Sequence, residues 1–120
     1  MRQFLISHGF ELRDQDGRLL PAEDLHNRGA GLMSALLELE QVNPDMTDST
    51  THTDAELGVV VVELLVTAAN EAAALAAFMN VARTAVHMTG GSTRHWSEPG
   101  VSPSRPNVDY HPDKLTLAHP

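Results

Sequence analysis

The stretch Gly58-Val59-Val60-Val61-Val62-Glu63-Leu64-Leu65-Val66-Thr67, followed by Asn70-Glu71-Ala72-Ala73-Ala74-Leu75-Ala76-Ala77-Phe78-Met79-Asn80-Val81-Ala82-Arg83-Thr84-Ala85-Val86-His87-Met88 and stopped by Gly90-Gly91, decides the fold class. The first part reads as a strand, rich in β-branched residues and apolar at nearly every position. Val60, Val62, Leu64 and Val66 share one face; Val59, Val61, Glu63, Leu65 and Thr67 share the other. The first set is the better core face. The second part reads as a helix: Asn70 is a capable N-cap, and Leu75, Phe78, Met79, Ala82, Ala85 and Val86 recur at helical spacing. Gly90 or Gly91 supplies the left-handed C-terminal cap.

Working towards the N-terminus, Ala55-Glu56-Leu57-Gly58 is the turn of a β-hairpin whose other arm is Met46-Thr47-Asp48-Ser49-Thr50-Thr51-His52-Thr53-Asp54. That arm has no aliphatic residue after Met46 and suits a sheet edge. Before it, Leu25, Leu32, Leu36 and Leu39 repeat at helical spacing, with Met33 and Val42 flanking, and Asn43-Pro44 ends the helix. Gly29 and Gly31 each cost about 1 kcal/mol against alanine in a helix interior, so the firm part is expected from Ala30 onward. Residues 3–20 read as a short hairpin with its turn at Asp14-Gln15-Asp16-Gly17.

Five of the seven prolines (Pro99, Pro103, Pro106, Pro112 and Pro120) lie in the last 22 residues. Residues 97–120 are therefore expected to form a Pro-rich extended tail, with a single α+β domain over 1–96 whose N-terminal hairpin is 1–20. The element order, with a last strand near Ser92 to Trp96, approximates a ferredoxin-like β-α-β-β-α-(β) two-layer sandwich: an antiparallel sheet with two helices on one face. Its other face would show Val59, Val61 and Leu65. A homodimer joined through those three residues is the expected way to cover them, each buried side chain contributing roughly 1.5–3 kcal/mol.

The chain has 120 residues, a net charge of −8 and no cysteine. Disulfides, thiolate metal sites and thiol nucleophiles are excluded together. No Lys or Arg occurs between Arg28 and Arg83, an interval holding eight acidic residues from Glu38 to Glu71. Phosphate-backbone binding needs clustered cations, so nucleic acid is not an expected partner. Met1–His8 holds too short an apolar run for a signal peptide, and no run approaches a membrane span. The expectation is an acidic, cytoplasmic protein without a cofactor.

Seven histidines prompt a search for metal ligands. His52 and Asp54 share one side of a strand, but spacing supplies no third ligand, and Asp45, Asp48, Asp54 and Glu56 lack the glycine and spacing of a calcium loop. The densest polar cluster beside apolar anchors is Arg83, His87, Thr93, Arg94, His95 and Trp96. These residues are the candidate ligand-binding corner, with Arg94 as the cation for an anion and His87 as proton shuttle. No nucleophile elbow, phosphate-binding loop or dinucleotide fingerprint is present.

The segment from Arg83 to Trp96 resembles an R-T-A-x-H-x-x-G-G-x-T-x-x-W signature of small uncharacterised α+β proteins of actinobacterial type. Leu36 to Asp45 is similar to their leucine-rich helix ending in Asn-Pro-Asp. The resemblance, over roughly residues 32 to 96, implies a shared small body and carries no activity. Two functions follow as expectations: a non-enzymatic homodimeric interaction module, with a further protein partner left open, or a small-ligand or anion sensor or enzyme built on the Arg83–Trp96 corner.

Overall fold

The computed structural model describes residues 1–97 and 108–120. Seven elements follow in order: β1 (Arg2–Arg13), α1 (Ala22–Val42), β2 (Met46–Asp54), β3 (Val59–Ala68), α2 (Glu71–Met88), β4 (Gly91–Ser92) and β5 (Val108–Ala118). The fold is α+β, a five-stranded sheet in the order β2-β3-β1-β5-β4. It is antiparallel from β2 to β5, and only the two-residue β4 runs parallel to its neighbour.

The strand that decided the fold class packs as its alternation predicts. Val60, Val62, Leu64 and Val66 are buried in one core cluster with Phe4, Ile6, Phe10 and residues of both helices. β2 is the polar edge strand expected from its composition. It carries an irregularity between Thr47 and Thr50, where Asp48 turns left-handed. α2 is capped by Asn70, whose Oδ1 accepts from the Ala73 amide at 2.8 Å, and the chain leaves it through a left-handed Gly90.

Three expectations change. The expected hairpin over 3–20 has one long arm, β1 (Arg2–Arg13), and almost no return arm: after the Asp14–Gly17 turn only Leu19 bridges back, to Arg13. The last strand is not Ser92 to Trp96, of which only Ser92 belongs to β4. Residues 108–118, placed in the expected tail, instead form β5 between β1 and β4. Pro112 stands opposite Phe10 at the break in the β1–β5 register, a place where a missing amide hydrogen disrupts little. Pro99, Val101, Pro103 and Pro106 lie outside the described residues.

Helix α1 is unbroken through both glycines, and the reason differs for each. A Cβ on Gly29 would stand 2.8 Å from the Thr53 methyl, whereas one on Gly31 meets only the Thr89 methyl at 3.7 Å. Gly29 is where α1 presses on β2, and the Thr51 hydroxyl donates to its carbonyl at 3.3 Å. Gly31 is exposed. The two substitutions should therefore have opposite signs. Gly31→Ala should stabilise by about 0.5–1 kcal/mol through helix propensity. Gly29→Ala should destabilise, because crowding at a packed contact costs about 1–3 kcal/mol. Denaturant midpoints of the two variants check this, and stabilisation by Gly29→Ala would contradict it.

Candidate functional site

A groove opens where α2 stops covering the sheet. α2 packs on β3 and β1, while β5 extends the sheet beyond it. The predicted apolar stripe of α2 is rotated in the fold: Ala74, Phe78, Val81, Ala82, Ala85 and Val86 are buried, but Leu75 and Met79 are only half-buried. Those two side chains wall the groove, facing Pro112 and the exposed Leu115 of β5. His8, Ala76, Asn80, Arg83, Trp96 and Ser97 complete its lining, and the volume is about 430 Å³.

Trp96 is the fixed point of this groove. Its ring lies nearly parallel to Phe10, with centroids 4.8 Å apart and planes 7° from parallel, and its Nε1 donates to the Tyr110 carbonyl at 2.9 Å. Both the apolar body and the polar tip of the indole are thus satisfied. Arg83 reaches toward it from α2, its guanidinium carbon 6.0 Å from the ring centroid. One Arg83 terminal nitrogen donates to Asn80 Oδ1 at 3.1 Å, while the Nε is buried without a hydrogen-bond partner among the described residues.

His8 is 4% exposed, stacked on Phe10 at 4.3 Å. Its Nδ1 lies 2.9 Å from the Gly9 carbonyl; a carbonyl can only accept, so Nδ1 carries the proton. Burial holds the His8 imidazole below its ordinary range, against the opposing pull of the Gly9 and Lys114 backbone and of Asp113.

The sequence-derived corner divides in two. Arg83 and Trp96 belong to the groove. His87 instead faces Thr93, Nε2 to Oγ1 at 2.8 Å, and burial, with the Arg83 charge adding, keeps that imidazole below its ordinary range. Arg94 and His95 turn outward and meet β5: Arg94 pairs with Asp109 at 2.6 Å and donates from Nε to His95 Nε2 at 3.2 Å. The turn causes this division, with the Arg94 amide on Ser92 Oγ and the Trp96 amide on the Thr93 carbonyl. Arg94 is thus engaged with a carboxylate, and Arg83 is the cation of the groove.

His95 also stacks on His111, with centroids 4.0 Å apart, and together with Asp109 these two form the only group of three potential metal ligands among the described residues. Asp109 and His111 were not singled out from sequence. Asp-x-His is a same-face spacing on a strand, but it carries meaning only once 108–118 is known to be one. His52 and Asp54 share the open face of β2, both exposed, apart from that group. Val59, Val61 and Leu65 lie on the face of the sheet that carries no helix among the described residues, Val59 buried and the other two half-buried. Beside them Ser7, Gly9, Asp54, Leu57, Asp113, Lys114 and Thr116 line a second hollow of about 340 Å³.

Comparison with family models, with curated proteins and with solved structures finds no match. Among the described residues no helix is long and apolar enough to cross a membrane.

The His8 environment gives a signed pH dependence. Because the folded imidazole lies below its unfolded value of about 6.5, the unfolded chain takes up protons first as pH falls. The stabilisation is complete above that pH and is lost on acidification toward the lowered folded value. The melting temperature should therefore drop between about pH 7 and pH 5. His8→Phe, which keeps a ring against Phe10, should drop less over the same interval; an equal drop would contradict this role for His8.

Proposed function

We propose that the protein is a small binding module that takes a compact apolar carboxylate in the groove between α2 and β5. The observation that carries this reading is Arg83: a cation placed against Trp96, with a buried Nε that has no hydrogen-bond partner among the described residues, in a groove whose apolar walls are Leu75, Met79, Pro112 and Leu115 and whose other polar groups are His8, Asn80 and Ser97. Apolar walls with few polar groups characterise metabolite sites of this size, and a guanidinium presents paired donors that match a carboxylate. Such a ligand would lay its apolar part against Met79 and Leu115 and its carboxylate toward Arg83. This is the sensor reading of the sequence with Arg83 taking the role first given to Arg94.

Trp96 is the single tryptophan of the chain and reports occupancy directly. Phenylacetate should change its fluorescence saturably, and phenylacetamide should do so far more weakly. Arg83→Ala should weaken phenylacetate binding about tenfold to a hundredfold, the loss of a charged hydrogen-bond pair. Equal responses to acid and amide, or undiminished binding by Arg83→Ala, would overturn the assignment.

Association through the sheet is part of the same proposal. In a ferredoxin-like reading β5 stands as the fourth strand beside β1, and one sheet face carries no helix among the described residues. Val61 and Leu65 stay half-exposed there, and the hollow beside them sets Lys114 near Asp54 and Asp113. A second copy, presenting the same apolar centre and both signs of charge, suits this face in a twofold arrangement. Val61→Asp should convert a dimer to monomer in sedimentation experiments; a dimer unchanged by it would remove this face as the interface.

A further inference from the structure

The second half of the divided corner carries chemistry that the groove does not use. His95 lies in the turn after β4, while Asp109 and His111 are alternate residues of β5 and point to one side of it. Each of the three offers a ligand atom, and all three atoms lie within 4.8 Å of one another. The Asp109 side chain is only 4% exposed. One of its oxygens, Oδ2, accepts from Arg94 at 2.6 Å; the other, Oδ1, is buried with no hydrogen-bond partner among the described residues. A buried acceptor left unsatisfied is destabilising, more so when charged, so a group that binds Oδ1 relieves that cost.

We propose that His95, Asp109 and His111 form a site for a divalent first-row transition cation of the zinc class. Two imidazole nitrogens and one carboxylate oxygen are the donors such ions take, with a further position left for water. Calcium and magnesium demand a shell of oxygens, and this cluster has one carboxylate. Tetrahedral zinc bonds of about 2.0–2.2 Å bring neighbouring donors to roughly 3.3 Å. The three groups must therefore close inward, and His95, exposed at the end of a turn, is free to swing. Its hydrogen bond from the Arg94 Nε at 3.2 Å and its stacking on His111 are both given up in that movement. Arg94 stays on Oδ2 and fixes the carboxylate, the part outer partners play in metal sites, which leaves Oδ1 open to the ion. The Arg94 side chain, 59% exposed, balances the carboxylate charge in the metal-free state.

Zinc titration of untagged protein, in competition with a chromophoric chelator, tests this. The expected result is one zinc per chain, with His95→Ala and His111→Ala each weakening it about tenfold or more at unchanged circular dichroism. His52→Ala should leave it unaltered. His95 is the decisive variant, because an exposed residue can be truncated without loss of the fold. The proposal is overturned by absence of binding at about 100 μM zinc, by binding that survives both substitutions, or by binding that follows His52. It stands apart from the groove: the phenylacetate response of Trp96 can fail while zinc binds, and the reverse.

Discussion

The pairing of β5 with β1 is the constraint on which the rest of this molecule depends. Without β5, Leu12 and Phe10 would lose the neighbours that cover them, and neither the groove nor the histidine cluster would exist. The segment after α2 holds β5 in place. Trp96 stacks on Phe10 and donates to Tyr110, while Arg94 pairs with Asp109. Gly91 allows the approach, since a Cβ there would meet the Tyr110 ring at 2.5 Å and Val86 at 2.8 Å. The segment Gly91–Trp96, β4 and the turn after it, thus ties the end of the second helix to β5, which starts at Val108. An offset aromatic pair adds about 0.5–1.5 kcal/mol beyond burial.

The elements that were legible in the sequence are those whose signal is local. The β3 alternation, the Asn70 cap, the glycine exit from α2 and the polar edge strand β2 each follow from a few adjacent residues. β5 was not legible because its pattern is interrupted by Pro112 and preceded by a run of prolines and serines. Its strand character comes from pairing with β1 across a break in register, which no local window contains. The two glycines of α1 illustrate the same limit. Propensity penalises both equally, and only the packing of α1 on Thr53 distinguishes the one that is required from the one that is not.

The candidate corner was legible as a set of residue types and not as a geometry. Arg83, His87, Thr93, Arg94, His95 and Trp96 do lie together, but the turn after β4 directs them to different neighbours. Trp96 goes inward, Arg94 and His95 go outward to β5, and His87 is taken up by Thr93. The role first given to Arg94 passes to Arg83 because Asp109, distant in sequence, claims Arg94. The rotation of α2 adds the other half of the groove. By burying Ala74 and Val81 it leaves Leu75 and Met79 at the margin, a shift of one position that periodicity alone does not resolve. The basic groups also serve the scaffold: Arg28 donates to the Thr89 carbonyl at 2.5 Å, placing positive charge at the C-terminal end of α2, where the helix dipole favours it.

Amide hydrogen exchange read by mass spectrometry tests the central claim most directly, since both proposed sites stand or fall with β5. Peptides covering 108–118 should keep a slowly exchanging set of amides, those bonded to β1, with the strongest protection over the stretch nearest Trp96, where β4 pairs on the other side. Exchange of that segment within seconds, at the rate of an unstructured chain while β1 and β3 remain protected, would contradict the account.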